Sequence, residues 1–158
     1  MQNKGSVARG VIMAMSVWIV LAASTAATVR AENLSPLGLW KTIDDASGEA
    51  RSFIKIWVEN GELFGKIERL IRKPGQNPNP LCDECSGEKK DKPITGMTVM
   101  WGLTQDDETW SGGYILDPDN GKTYKCKLKV EGGGEKLIVR GYIGFSLLGR
   151  NQTWSRVE

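Results

Sequence analysis

Thr123-Tyr124-Lys125-Cys126-Lys127-Leu128-Lys129-Val130 decides the fold. Tyr124, Cys126, Leu128 and Val130 alternate strictly with three lysines. Successive side chains of a strand point to opposite faces, so this segment has one buried and one wet face. Asp117-Pro118-Asp119-Asn120-Gly121 precedes it. Pro presets φ there and Asn-Gly supplies positive φ, which makes a turn. Gly132-Gly133-Gly134 follows and closes a hairpin to a strand over 136–143.

The same rhythm extends in both directions. Upstream strands are expected at 39–43, 51–58, 62–71, 95–103 and 109–116, and a last one at 150–156. Asn60-Gly61 is the strongest short hairpin signal. Ile54, Ile56 and Val58 share a face opposite Lys55, and Met97, Val99, Trp101 and Leu103 are expected in phase. The expected fold class is all-β. About eight strands joined by hairpins, with no helix between them, give an up-and-down antiparallel barrel, whose closure removes exposed edges. Gly65, Gly112, Gly113 and Gly141 suit bulges or corners.

Residues 1–31 are expected to be a signal peptide and 32–158 a single barrel domain. Lys4 and Arg9 precede an uncharged apolar run over 11–23, and Val29-Arg30-Ala31 offers a cleavage site. The run is shorter than the roughly 20 residues a membrane span needs. Export to the periplasm or the medium follows, with no span left after cleavage. The chain carries 21 Lys+Arg against 19 Asp+Glu; removing Lys4, Arg9 and Arg30 leaves 18 against 19, net −1. A nearly neutral domain has no electrostatic footprint for nucleic acid and no evident pull toward anionic lipid.

There is no histidine. A Ser-His-Asp triad, a histidine base and histidine metal ligation are therefore excluded. Of the three cysteines, Cys82 and Cys85 are expected to pair, as an oxidising compartment allows. Cys126 is expected to be a buried apolar residue, with pairing between chains as the alternative. Cys82-Asp83-Glu84-Cys85 also reads as a redox motif. Two carboxylates between the sulfurs oppose the thiolate that such chemistry needs. Acids at 117–119 and at 106–108 resemble part of a calcium loop, but ordinary turns explain them as well. No metal and no cofactor is expected.

The segment 72–93 breaks the rhythm with prolines, glycines, charges and two cysteines. A connection this long is either a solvated excursion pinned by a disulfide or a lid or binding loop.

The ordered motifs Gly38-Leu39-Trp40, Asn77-Pro78-Asn79-Pro80, Pro93-Ile94-Thr95-Gly96, Met100-Trp101-Gly102, a block over 110–118, Gly121-Lys122-Thr123-Tyr124, Arg140-Gly141-Tyr142-Ile143-Gly144 and a block over 148–156 resemble the bacterial exported family called domain of unknown function 2147. The resemblance spans nearly all of 32–158 and implies a small lipocalin-like barrel. The Gly-x-Trp at Gly38 to Trp40, with Arg150 and Arg156 on the last strand, is also similar to the calycin signature. There an arginine packs over the first-strand tryptophan and closes the barrel bottom.

An eight-stranded barrel is either filled by side chains or holds one small ligand. Trp101, Trp110, Tyr124 and Trp154 are the candidate lining of such a cavity, with N–H and O–H groups to orient a guest. The leading expectation is non-enzymatic binding of a small hydrophobic molecule. The alternatives are an envelope interaction module, using outer aromatics such as Trp57 or the 72–93 loop, and a redox protein using Cys82 and Cys85.

Overall fold

The computed structural model describes residues 34–44 and 47–157. The expected signal peptide lies outside the described residues. Eight antiparallel strands follow one another: β1 (Gly38–Ile43), β2 (Ala50–Glu59), β3 (Glu62–Leu70), β4 (Thr98–Asp106), β5 (Thr109–Asp117), β6 (Lys122–Glu131), β7 (Lys136–Tyr142) and β8 (Arg150–Arg156). Each pairs with the next, and β8 returns to β1 through Trp40 opposite Arg156 and Lys41 opposite Ser155, closing the barrel. The up-and-down order expected from the hairpin signals is the order found.

Alternation builds the interior. On β6, Cys126, Leu128 and Val130 are buried and the three lysines are not, as the sequence pattern requires. Trp40, Leu63, Leu103 and Leu137 are fully buried. They fill the half of the barrel nearest the β2–β3 and β6–β7 turns. We call this the closed end. The connections β1–β2, β3–β4, β5–β6 and β7–β8 lie at the opposite, open end.

The phase of β4 departs from the expectation. Val99 and Met100, neighbours in sequence, are both buried, Leu103 is buried, and Trp101 faces outward. The β3–β4 register shifts twice, between Leu63 and Gly65 and between Gly65 and Lys66. Gly102 takes φ 72°. Each irregularity slips the side-chain phase, so a simple period of two fails here. The strand also begins at Thr98, because Gly96 N–H donates to Ile67 O and Met97 N–H to Ile94 O in the preceding turn.

The 72–93 segment is only partly a solvated excursion. Residues 72–79 are exposed. Beyond them the chain folds back on itself: Leu81 pairs with Pro93, Cys82 N–H donates to Lys92 O at 2.9 Å, and Asp91 N–H donates to Cys82 O at 3.0 Å. The Cys82–Cys85 disulfide forms, and both cysteines are buried. The loop docks on the β5–β6 turn so closely that a Cβ on Gly121 would sit 1.8 Å from Glu84 O. Lys89 reaches over the outward Trp101 ring, 4.7 Å from its centroid.

Candidate functional site

The open half of the barrel is hollow. A cavity of about 1130 Å³ runs from the mouth into the interior. Its depth is apolar: Ile54, Ile67, Val99, Ile115, Val139 and Trp154 form the walls. Four polar side chains interrupt them, namely Thr42, Ser52, Tyr124 and Gln152. The Thr42 and Ser52 hydroxyls lie 2.8 Å apart, and Ser52 N–H donates to Thr42 Oγ1 at 3.1 Å. Trp154 Nε1 donates to Gln152 Oε1 at 3.2 Å. Nearer the mouth, the Tyr124 hydroxyl accepts from Asn120 Nδ2 at 3.3 Å; each hydroxyl and amide retains a further site for a guest. The architecture is that of a small-molecule pocket: mostly apolar, with a few placed polar groups.

The mouth is charged and tied. Arg51 on β2 pairs with Asp44 at 3.3 Å and with Asp119 of the β5–β6 turn. It thus straps one side of the opening to the other. Burial works against the charge of Arg51, but Asp119, Asp44 and Asp117 outweigh it and hold its pKa above the ordinary value. Lys73 pairs with Glu49 at 2.7 Å and ties the 72–93 loop to the β1–β2 loop.

The closed end is sealed differently. The Arg156 guanidinium lies 4.2 Å from the Trp40 ring centroid. Its Nε donates to Gly134 O at 2.5 Å, its Nη1 to Leu37 O at 3.0 Å and its Nη2 to Ser35 O at 2.5 Å. Trp40 Nε1 donates to Pro36 O at 2.7 Å. Burial pulls the Arg156 pKa below its ordinary value, with Glu135 opposing. Gly38 opens β1 at φ 123°. Arg150 is not at this end; it sits opposite Gly141 and lines the cavity mouth.

Of the four aromatics expected around a cavity, Tyr124 and Trp154 line it. Trp101 does not: the β4 irregularity turns it outward, where it stacks on Tyr114 at 6.0 Å. Trp110 pairs with Leu128 and packs against the core, outside the lining. Thr42, Ser52, Gln152 and the mouth charges were not expected from sequence. Thr42 and Ser52 gave no signal beyond standing at core-facing positions of strands.

Outer aromatics are also present. Trp57 and Phe64 stack at 5.7 Å across β2 and β3, and Arg69 lies over Phe53 at 4.4 Å. The acids at 106–108 and at 117–119 sit at opposite ends of the barrel, so they cannot form one calcium loop. Among the described residues, no group of three or more metal-ligating side chains converges. Among them, too, no helix is long and apolar enough to cross a membrane. Cys126 is buried, and burial pushes its thiol pKa up to about 12.

No curated protein matches the sequence. Among solved structures the barrel resembles HP1028 of Helicobacter pylori, described as belonging to the lipocalin family. The TM-score is 0.65 at 17% identity, covering 79% of this chain and 84% of that one. A likeness at this identity speaks for the fold alone. The family model for an uncharacterized protein conserved in bacteria matches residues 38–156, which is all eight strands. The chain therefore belongs to the bacterial family DUF2147, on a lipocalin-like barrel.

Proposed function

We propose that the barrel binds a small, mainly hydrophobic molecule in its open cavity and performs no chemistry on it. The carrying observation is the hollow half: about 1130 Å³ with apolar walls interrupted by a few polar side chains. A hydrophobic guest would gain the burial of its apolar surface, about 25 cal/mol per Å². Thr42, Ser52 or Gln152 would orient a polar group on it. The 1–31 pattern supports a site outside the cytoplasm.

Titration with an environment-sensitive naphthalene dye tests this reading. Energy transfer from tryptophan to one dye per chain is expected, displaced by long-chain hydrophobic competitors. Val139→Trp projects an indole into the same space and should abolish the signal while the protein stays folded. Dye binding unaffected by Val139→Trp would overturn the reading.

The second reading, an envelope interaction module, draws support from the stacked Trp57–Phe64 pair on the outer wall. Its test is loss of a captured partner on Trp57→Ala with dye binding unchanged. Thiol–disulfide exchange draws the least support, because an attacking thiolate must reach a sulfur, and Cys82 and Cys85 are 0% and 5% exposed.

A further inference from the structure

The β7–β8 connection, residues 143–149, carries the most exposed apolar side chains among the described residues. Ile143 is 66% exposed, Phe145 80%, Leu147 88% and Leu148 81%. Soluble proteins rarely gather large apolar side chains on one tip without a use for them.

The tip is held in place. Its backbone makes a single 3-10 turn over Ser146–Leu148. Arg140 on β7 donates from Nε to Ser146 O at 2.6 Å and from Nη2 to Leu147 O at 3.1 Å, while its Nη1 reaches Asn151 Oδ1 at 2.7 Å. The anchored backbone thus presents the apolar side chains to solvent, and nothing folds them onto the barrel.

The surroundings of the tip are basic. Lys125, Lys127 and Lys129 stand on the outer face of β6, opposite Tyr142, Arg140 and Ile138 of β7. Lys127, Lys129 and Arg140 line a shallow groove against Ser146 and Leu147. Arg150 begins β8 just beyond the tip. The acid paired on this wall is Glu108, 2.9 Å from Lys129. Seven acids, among them Glu59, Glu62, Glu131 and Glu135, flank closed-end turns, while the mouth acids Asp44, Asp119 and Glu49 are paired with Arg51 and Lys73. The basic surround is thus local to the β6–β7 wall and the start of β8.

We infer that the 143–148 tip and its basic surround dock the barrel, mouth first, on a bilayer containing anionic phospholipid. A convex apolar tip flanked by Lys and Arg on its outer wall matches the interface of such a bilayer, where apolar groups enter the acyl boundary and cations meet phosphate. The acids of the closed-end turns would then face away from the lipid. A second copy of the chain is a poorer occupant, because self-pairing would bring Lys125, Lys127 and Arg140 against like charges. Ile143 and Leu148 also line the cavity mouth. Docking therefore places the opening at the lipid surface, where a hydrophobic guest is found. The inference does not depend on what the cavity carries.

The test is co-sedimentation of the soluble protein, recovered without detergent, with vesicles of phosphatidylcholine alone or mixed with phosphatidylglycerol. Binding to the anionic vesicles should be about tenfold tighter and should weaken as salt rises from about 0.1 M to about 1 M. The Phe145→Asp/Leu147→Asp variant should lose at least about tenfold of that binding with its thermal unfolding unchanged, since both side chains are exposed. Lys125→Glu/Lys127→Glu should lower binding to the anionic vesicles and leave dye binding in the cavity intact. Three results would overturn the inference. They are equal sedimentation of the tip variant and the unaltered protein, no sedimentation with either vesicle, and a dimer that Phe145→Asp dissolves in place of any vesicle binding.

Discussion

The Arg156 guanidinium lies 4.2 Å over the Trp40 indole, with three backbone carbonyls accepting its N–H groups. One side chain thereby joins β8, the β6–β7 turn and the segment before β1. A cation over a ring contributes about 0.5–2 kcal/mol, and charged hydrogen bonds somewhat more. Arg156→Ala should cost about 2–3 kcal/mol in urea unfolding. Arg156→Lys should recover little of it, because an ammonium cannot span three carbonyls and cover a ring. Dye binding at the far end should survive in the folded fraction.

Two strand glycines should respond oppositely to alanine. A Cβ on Gly113 would meet Trp101 O at 2.3 Å and Leu103 N at 2.5 Å, both backbone atoms that cannot step aside. Gly113→Ala should destabilise by about 1–3 kcal/mol, toward the upper end. A Cβ on Gly141 would meet Tyr124 Cβ at 3.5 Å and Ile115 Cγ2 at 3.7 Å, which is ordinary contact. Gly141→Ala should be neutral or add about 0.5–1 kcal/mol. Paired urea curves check both.

Cys126 makes stability depend on alkaline pH. Its folded pKa is raised to about 12 from the ordinary 9.0 by burial. The contribution is whole below the unfolded pKa. It falls by about 1.4 kcal/mol per pH unit as pH rises from there to the folded value. Between pH 9.0 and about 12, Cys126→Ala should therefore show a shallower decline in urea midpoint than the unaltered protein. Alkylation at neutral pH should modify Cys126 only in denaturant.

The strap across the mouth should act on rates. Arg51 is about half exposed, at 47%, and exposed ion pairs contribute about 0–1 kcal/mol. Arg51→Ala should leave stability within about 0.5 kcal/mol and speed both dye entry and dye release in stopped flow. High salt should speed the unaltered protein and leave Arg51→Ala unchanged.

The strand order was legible because every hairpin carries its own turn chemistry, from Asn60-Gly61 to the glycine run at 132–134. Trp40 and its arginine were legible through the calycin-like pattern, though Arg150 stood as an equal choice until β8 was placed. Trp101 was misread because alternation assumes an unbroken ladder. Gly102, with the glycine pair at 112–113 across from it, marks the break. The other polar lining was illegible, since Thr42, Ser52 and Gln152 reach the cavity only when β1, β2 and β8 close together. The folding of the 72–93 loop was missed for a similar reason: its anchors, Gly121 and Trp101, lie on other elements.

Native mass spectrometry tests the central claim most directly, on protein purified from its own cells without organic solvent. The account predicts one extra small-molecule mass per chain, released on denaturation and absent from Val139→Trp. A bare-chain mass for the unaltered protein, with no gain on incubation with a lipid extract of the same cells, would contradict it.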